Sequence, residues 1–155
     1  MTTLTANSPT IGGPTNLIER RAVVYVLLPE DVEKTIRAGL EELGRTVTAI
    51  LPSVTARFFS THANTLFVNC YLELSFAGRE ESLIASVNYR NNRGRFVATA
   101  DVCGEESGGF VWERPEMAVN PNDVEEVGRI LNDAVADLVA HSTDSIVAAL
   151  RSCKN

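Results

Sequence analysis

The stretch "TLFVNCYLELSF", residues 65–76, decides the fold. Leu66, Val68, Cys70, Leu72 and Leu74 fall on one side of an extended chain, and Phe67, Asn69, Tyr71 and Glu73 on the other. That period of two marks a strand with one face on a core. The pattern continues downstream. After Ala77-Gly78, "ESLIASVNYR" and "RFVATADVC" flank Asn91-Asn92-Arg93-Gly94, where Asn and Gly supply the positive backbone angles of a tight turn. Residues 81–103 are therefore expected to form a β-hairpin. Upstream, "RTVTAIL" (45–51), ending at Pro52, and "SVTARFFS" (53–60) also have strand character.

Two helices bracket these strands. In "LPEDVEKTIRAGLEELG" (28–44), Val32, Ile36, Leu40 and Leu43 recur on one helical face. Pro29 suits a first helical position, Glu30 and Asp31 suit the positive end of the helix dipole, and Gly44 reads as a stop. The second helix starts near Asn120 or Asn122, with Val124, Val127, Leu131, Val135 and Leu138 as its apolar stripe. Ala134 and Ala136 thin its surface for close approach to a sheet. It breaks at His141-Ser142-Thr143, and Asp144 caps a short helix through Leu150. The apolar run 22–28, "AVVYVLL", reads as a buried N-terminal strand. Residues 1–20 are rich in Thr, Ser, Asn, Pro and Gly and read as a flexible leader or tether before a single domain over 21–155. The expected class is α+β. A two-layer sandwich results, in which an antiparallel meander of about four strands plus the N-terminal strand carries two helices on one face.

The 155 residues are 45% hydrophobic and 22% charged, enough for one globular core, and the net charge of −6 argues against nucleic acid as a partner. Neither histidine has a catalytic setting: His62 lies in a polar turn, and His141 sits where a helix C-terminus favours a cation. Cys70, Cys103 and Cys153 lack metal-ligand spacing; Cys70 reads as an inert buried thiol, and a Cys103–Cys153 bridge is an open option. No glycine motif has the strand–loop–helix setting of a phosphate loop, and the acidic pairs 41–42, 80–81, 105–106 and 125–126 read as solvated faces. No catalytic, metal-binding or cofactor-binding residue is assigned, and the chain is expected not to be an enzyme.

What remains are contact surfaces. Arg90, Arg93 and Arg95 concentrate positive charge on one hairpin tip, which reads as a solvated turn or as a contact for an anionic partner such as lipid headgroups. Phe110, Trp112 and Met117 lie in a Gly-rich, acidic loop (104–120), which either folds over the core or anchors a partner. Phe67 and Tyr71 face away from the expected helices, and Phe58 and Phe59 cannot share a face. An exposed reverse face of this kind leads to an expectation of homo-oligomers.

"VYVLLPEDVEKTIRAGLEELG" and "VEEVGRILNDAVADLVAHSTDSI" together resemble the YajG-like and ABC-transport-auxiliary lipoproteins of the Gram-negative envelope, loosely over residues 22–150. The resemblance implies a strand, a helix, an antiparallel meander and a long C-terminal helix, with no catalytic motif. It implies a periplasmic accessory module that supports transport or assembly complexes through protein contacts. Such lipoproteins begin with a signal peptide and a lipidated cysteine, neither of which is in this sequence. Outer-membrane anchoring is thus expected only if such a segment has been removed before Met1, and a cytoplasmic location otherwise. Two alternatives stand beside this reading: a cytosolic acidic adaptor similar to type III secretion chaperones, and a small-ligand carrier.

Overall fold

The computed structural model describes residues 30–64, 67–78 and 80–152. The expected leader and the strand at 22–28 lie outside the described residues. The described elements are α1 (Glu30–Ile50), β1 (Val54–Asn64), β2 (Phe67–Phe76), β3 (Leu83–Asn92), β4 (Arg95–Gly104), β5 (Phe110–Glu113), β6 (Met117–Ala118), α2 (Val124–His141) and α3 (Thr143–Ser152). The class is α+β, and the sheet is an antiparallel meander in the order β1-β2-β3-β4-β5, with β6 also pairing with β4.

The alternation in residues 65–76 holds where it is described. Cys70, Leu72 and Leu74 are buried, and they pair with Val87, Ala85 and Leu83 on β3. On β4, Ala100, Val102 and Gly104 continue the same rows, and Ala98 lies opposite the buried Tyr89 on the same face. These side chains join Ile36, Leu40 and Leu43 of α1 and Leu131, Val135 and Leu138 of α2 in one core. α1 lies against β1 and β2, α2 against β3 and β4, and α3 against β5. Burying a Leu, Ile or Val fully is worth roughly 1.5–3 kcal/mol, so these rows carry most of the folding free energy.

The first helix is longer than its sequence suggests. "RTVTAI" was expected as a strand, yet it completes α1, and Gly44 lies inside the helix rather than ending it. Burial outweighs the strand preference of this β-branched run: Val47 extends the Ile36–Leu40–Leu43 stripe by four residues and is fully buried. The hydroxyls of Thr46 and Thr48 donate back to the carbonyls of Glu42 (3.0 Å) and Gly44 (2.9 Å), which satisfies them within the helix without adding to its stability. The helix stops before Pro52, as the sequence implied.

Glycines give α1 its close contacts. A Cβ at Gly39 would stand 2.9 Å from Val135 Cγ2, and one at Gly44 would stand 3.1 Å from the Ala56 Cβ. Gly39 lets α1 press on α2, and Gly44 lets it press on the sheet. Ala134 is buried, but Ala136 is exposed, as is Val124 at the start of the expected stripe. Asp123 is the N-cap of α2, and its carboxylate accepts from the Glu126 N–H at 3.0 Å. Ser142, buried, separates α2 from α3 where the break was expected.

The β3–β4 hairpin forms with Asn92 opposite Arg95, which leaves a two-residue turn of Arg93 (φ 56°) and Gly94 (φ 85°). The positive angles fall on Arg93 and Gly94 rather than on an asparagine. Asn91 Oδ1 accepts from the Gly94 N–H at 2.9 Å and helps to hold Arg93 in this unfavoured conformation. The expected 104–120 loop is in part a sheet edge: β5 and β6 pair with β4 over Asp101–Cys103 and Val97–Ala98.

Two outcomes test this packing. Replacing Gly39 by Leu forces a side chain into Val135; thermal melts are expected to show a loss of about 2 kcal/mol or more, whereas Ala136→Leu leaves stability nearly unchanged. Tyr89 is fully buried, its hydroxyl has no partner among the described residues, and burial raises its pKa from 10.0 to about 12. Burial likewise raises Cys70 from 9.0 to about 11. Above pH 9–10 the unfolded chain therefore loses these protons before the folded one does, and stability falls as pH rises. Tyr89→Phe is expected to stabilise by about 1 kcal/mol at neutral pH and to flatten the alkaline decline in melts between about pH 8 and 11.

Candidate functional site

The meander sends alternate residues to a reverse face, away from α1 and α2. Its rows run Phe59–Tyr71–Ser86–Asp101–Glu113 and Arg57–Glu73–Ile84–Cys103–Phe110. No described helix lies on it, and its centre is more polar than the aromatic residues Phe67 and Tyr71 alone would suggest. Ser86, Thr99 and Val97 on this face are buried. Ser86 Oγ donates to Asp101 Oδ1 at 3.1 Å, and Asn88 Nδ2 donates to Ser86 Oγ and Thr99 Oγ1 at 3.2 and 3.4 Å. Burial pushes the Asp101 carboxyl above its ordinary value; the Ser86 hydrogen bond and Arg90 oppose that rise, and Glu113 reinforces it. The centre of the reverse face is thus a hydrogen-bonded polar band.

At the β1–β2 end, Phe59 and Tyr71 stack with ring centroids 5.1 Å apart. Arg57 lies 5.2 Å over Phe59 and pairs with Glu73 at 2.7 Å. At the other end, Phe110 begins β5 opposite Cys103 and is 60% exposed. The loop before it is ordered by Glu81, whose carboxylate accepts from the Glu106 and Ser107 N–H groups (2.9 and 2.8 Å) and from the Ser107 hydroxyl (2.9 Å). An acid read from sequence as a solvated face is a loop clamp. Its partners lie 25 and 26 residues away, so sequence spacing could not reveal it.

The other contact residues do not gather into one site. Trp112 pairs with Val102, is half-buried and packs on the core, the first of the two roles expected of this segment. Arg90 and Arg95 both lie near Glu116, at 3.6 and 3.9 Å, and Asn92 Nδ2 reaches the same carboxylate at 3.5 Å. Part of the hairpin-tip charge is therefore balanced within the chain, while Arg93 is exposed at the turn. Met117 sits opposite Ala98 and is 37% exposed, and Phe67 occupies the position opposite Arg90. His62 lies in β1 rather than in a turn. His141 ends α2, as expected, 3.5 Å from Asp137.

Two open grooves flank β1 and α1. One, of about 390 Å³, is lined by Glu41, Gly44, Arg45, Thr48, Ala56, Phe58 and Leu72. The other, of about 160 Å³, is lined by Glu33, Lys34, Arg37, Phe58 and Ser60. Sequence reasoning missed them because it placed residues 45–51 in a strand. No described helix is long and apolar enough to cross a membrane. No protein-family model matches this chain, and no curated protein or solved structure is similar to it.

Cys70 is buried in the core, and Cys103 is a half-buried thiol on the reverse face; Cys153, its possible bridge partner, lies outside the described residues. Burial raises the pKa of both thiols, with Glu33 adding at Cys70 and with Asp101 and Glu81 adding at Cys103. Alkylation of the native protein, read by peptide mass, is expected to label Cys103 slowly and Cys70 only after unfolding.

Proposed function

We propose that this chain is a non-enzymatic accessory module of the bacterial cell envelope, which acts by binding another protein. The observation that supports this reading is the presentation of Phe110. A large aromatic is held in the open by a loop that Glu81 clamps, beside the half-buried Ile84 and Cys103. Folding gains little from an exposed phenyl ring, whereas binding gains much from an aromatic anchor whose position is ordered in advance. The stacked Phe59 and Tyr71 extend the contact surface across the same face. The location in the envelope rests on the resemblance of residues 22–150 to periplasmic lipoproteins.

Photo-crosslinking from position 110 in cells that express the full natural reading frame tests both parts. The expected result is a discrete crosslinked protein in the envelope fraction that is lost from position 110 in Glu81→Ala and reduced about tenfold when Ile84 is replaced by Glu. Crosslinks confined to the cytosol would favour the secretion-adaptor alternative, and no discrete product from position 110 would overturn the binding role of this face.

A further inference from the structure

We infer that a second copy of this chain docks on β1, edge to edge, about a two-fold axis near Phe58. It is carried by the β1 margin of the sheet, opposite the margin that presents Phe110, although Phe59 belongs to both surfaces. Among the described residues β1 pairs only with β2 and forms an edge of 11 residues. Its backbone is poised for a further strand. The two-residue turn makes Asn92–Arg95 a hydrogen-bonded pair. Alternation from there across β3 and β2 directs the N–H and C=O of Ala56, Phe58 and Ser60 away from β2. Edge strands that stay single are guarded by lysine, proline or bulges; from Val54 to Ser60 this one has no proline or lysine, and its register with β2 is regular.

Charge complementarity selects a second copy over a foreign strand. Phe58 lines both grooves, with Arg37 on one side of it along α1 and Glu41 on the other. The Arg37 guanidinium already lies 4.6 Å over the Phe58 ring, and within one copy Arg37 and Glu41 pair loosely at 3.3 Å with both side chains largely exposed. A two-fold axis through Phe58 exchanges the two levels: Arg37 of each copy comes opposite Glu41 of its partner. The same axis sets Ala56 against the partner's Ser60 and Arg57 against the partner's Phe59, whose ring its own Arg57 already covers at 5.2 Å. The two grooves, each with Phe58 in its lining and charged side chains of α1 along its wall, then close over the phenyl rings of both copies. The contact is isologous, as a two-fold dimer requires.

Sedimentation equilibrium of the full chain between roughly 1 µM and 1 mM tests this, with circular dichroism to verify folding. The wild type is expected to dimerise. Ser60→Pro and Ser60→Lys, at an exposed edge position that tolerates both, are expected to weaken the dimer about tenfold or more. Arg37→Glu and Glu41→Arg should each be monomeric where the wild type is dimeric, because each sets like charges across the axis. An equimolar mixture of those two variants should recover a heterodimer. A monomeric wild type over the whole range overturns the proposal, including the case in which residues 1–29 shield β1 and protect its amides from hydrogen exchange. A dimer unaffected by either Ser60 variant, or charge variants that fail to recover on mixing, also overturns it.

Discussion

The structure depends on α1 being pressed against two neighbours at once. On one side Gly39 lets it approach α2 until Val135 fills the space where a side chain would stand. On the other, Gly44 lets it settle on Ala56 and Leu72. Ile36, Leu40, Leu43 and Val47 can then reach the sheet and become fully buried. A glycine inside a helix costs about 1 kcal/mol relative to alanine. Here that cost is offset by the tight seating of a helix whose apolar stripe spans all but its ends.

From that seating follows the division of the sheet into two unlike faces. The helix side is aliphatic and closed. The reverse side combines a buried polar band, a stacked aromatic pair with its ion pair, and the exposed Phe110 at the far edge. The polar band matters physically because side chains that satisfy one another on a sheet fix its register without demanding a cover. The reverse face can therefore remain largely its own surface, and the places left for company are its margins: Phe110 on one, β1 with its grooves on the other.

The candidate contact residues were legible as residue types but not as an arrangement. Phe110 was identified because a Gly-rich acidic loop carries it, and it is exposed. Trp112, two positions on, would share the face of Phe110 in a regular strand; it packs on the core instead because the pairing of β5 with β4 shifts register between Val102 and Cys103, which a loop assignment could not show. Arg90 and Arg95 were visible as a basic cluster, yet the acid near them is Glu116, brought there by β6 pairing with β4. Glu81 and the loop it clamps are 25 residues apart and carry no motif.

By itself the sequence determined the period-two rows of β2 to β4, the hairpin, the break between α2 and α3 and the α+β class, because each rests on local spacing of apolar side chains or on turn chemistry. Only the tertiary structure decided that residues 45–50 are helical. Their β-branched side chains favour a strand locally, but burial of Val47 outweighs that preference once Gly44 lies against the sheet. Among the described residues the same packing leaves β1 at the edge of the sheet with grooves beside it, features that no local pattern specifies because they arise from what a segment packs against.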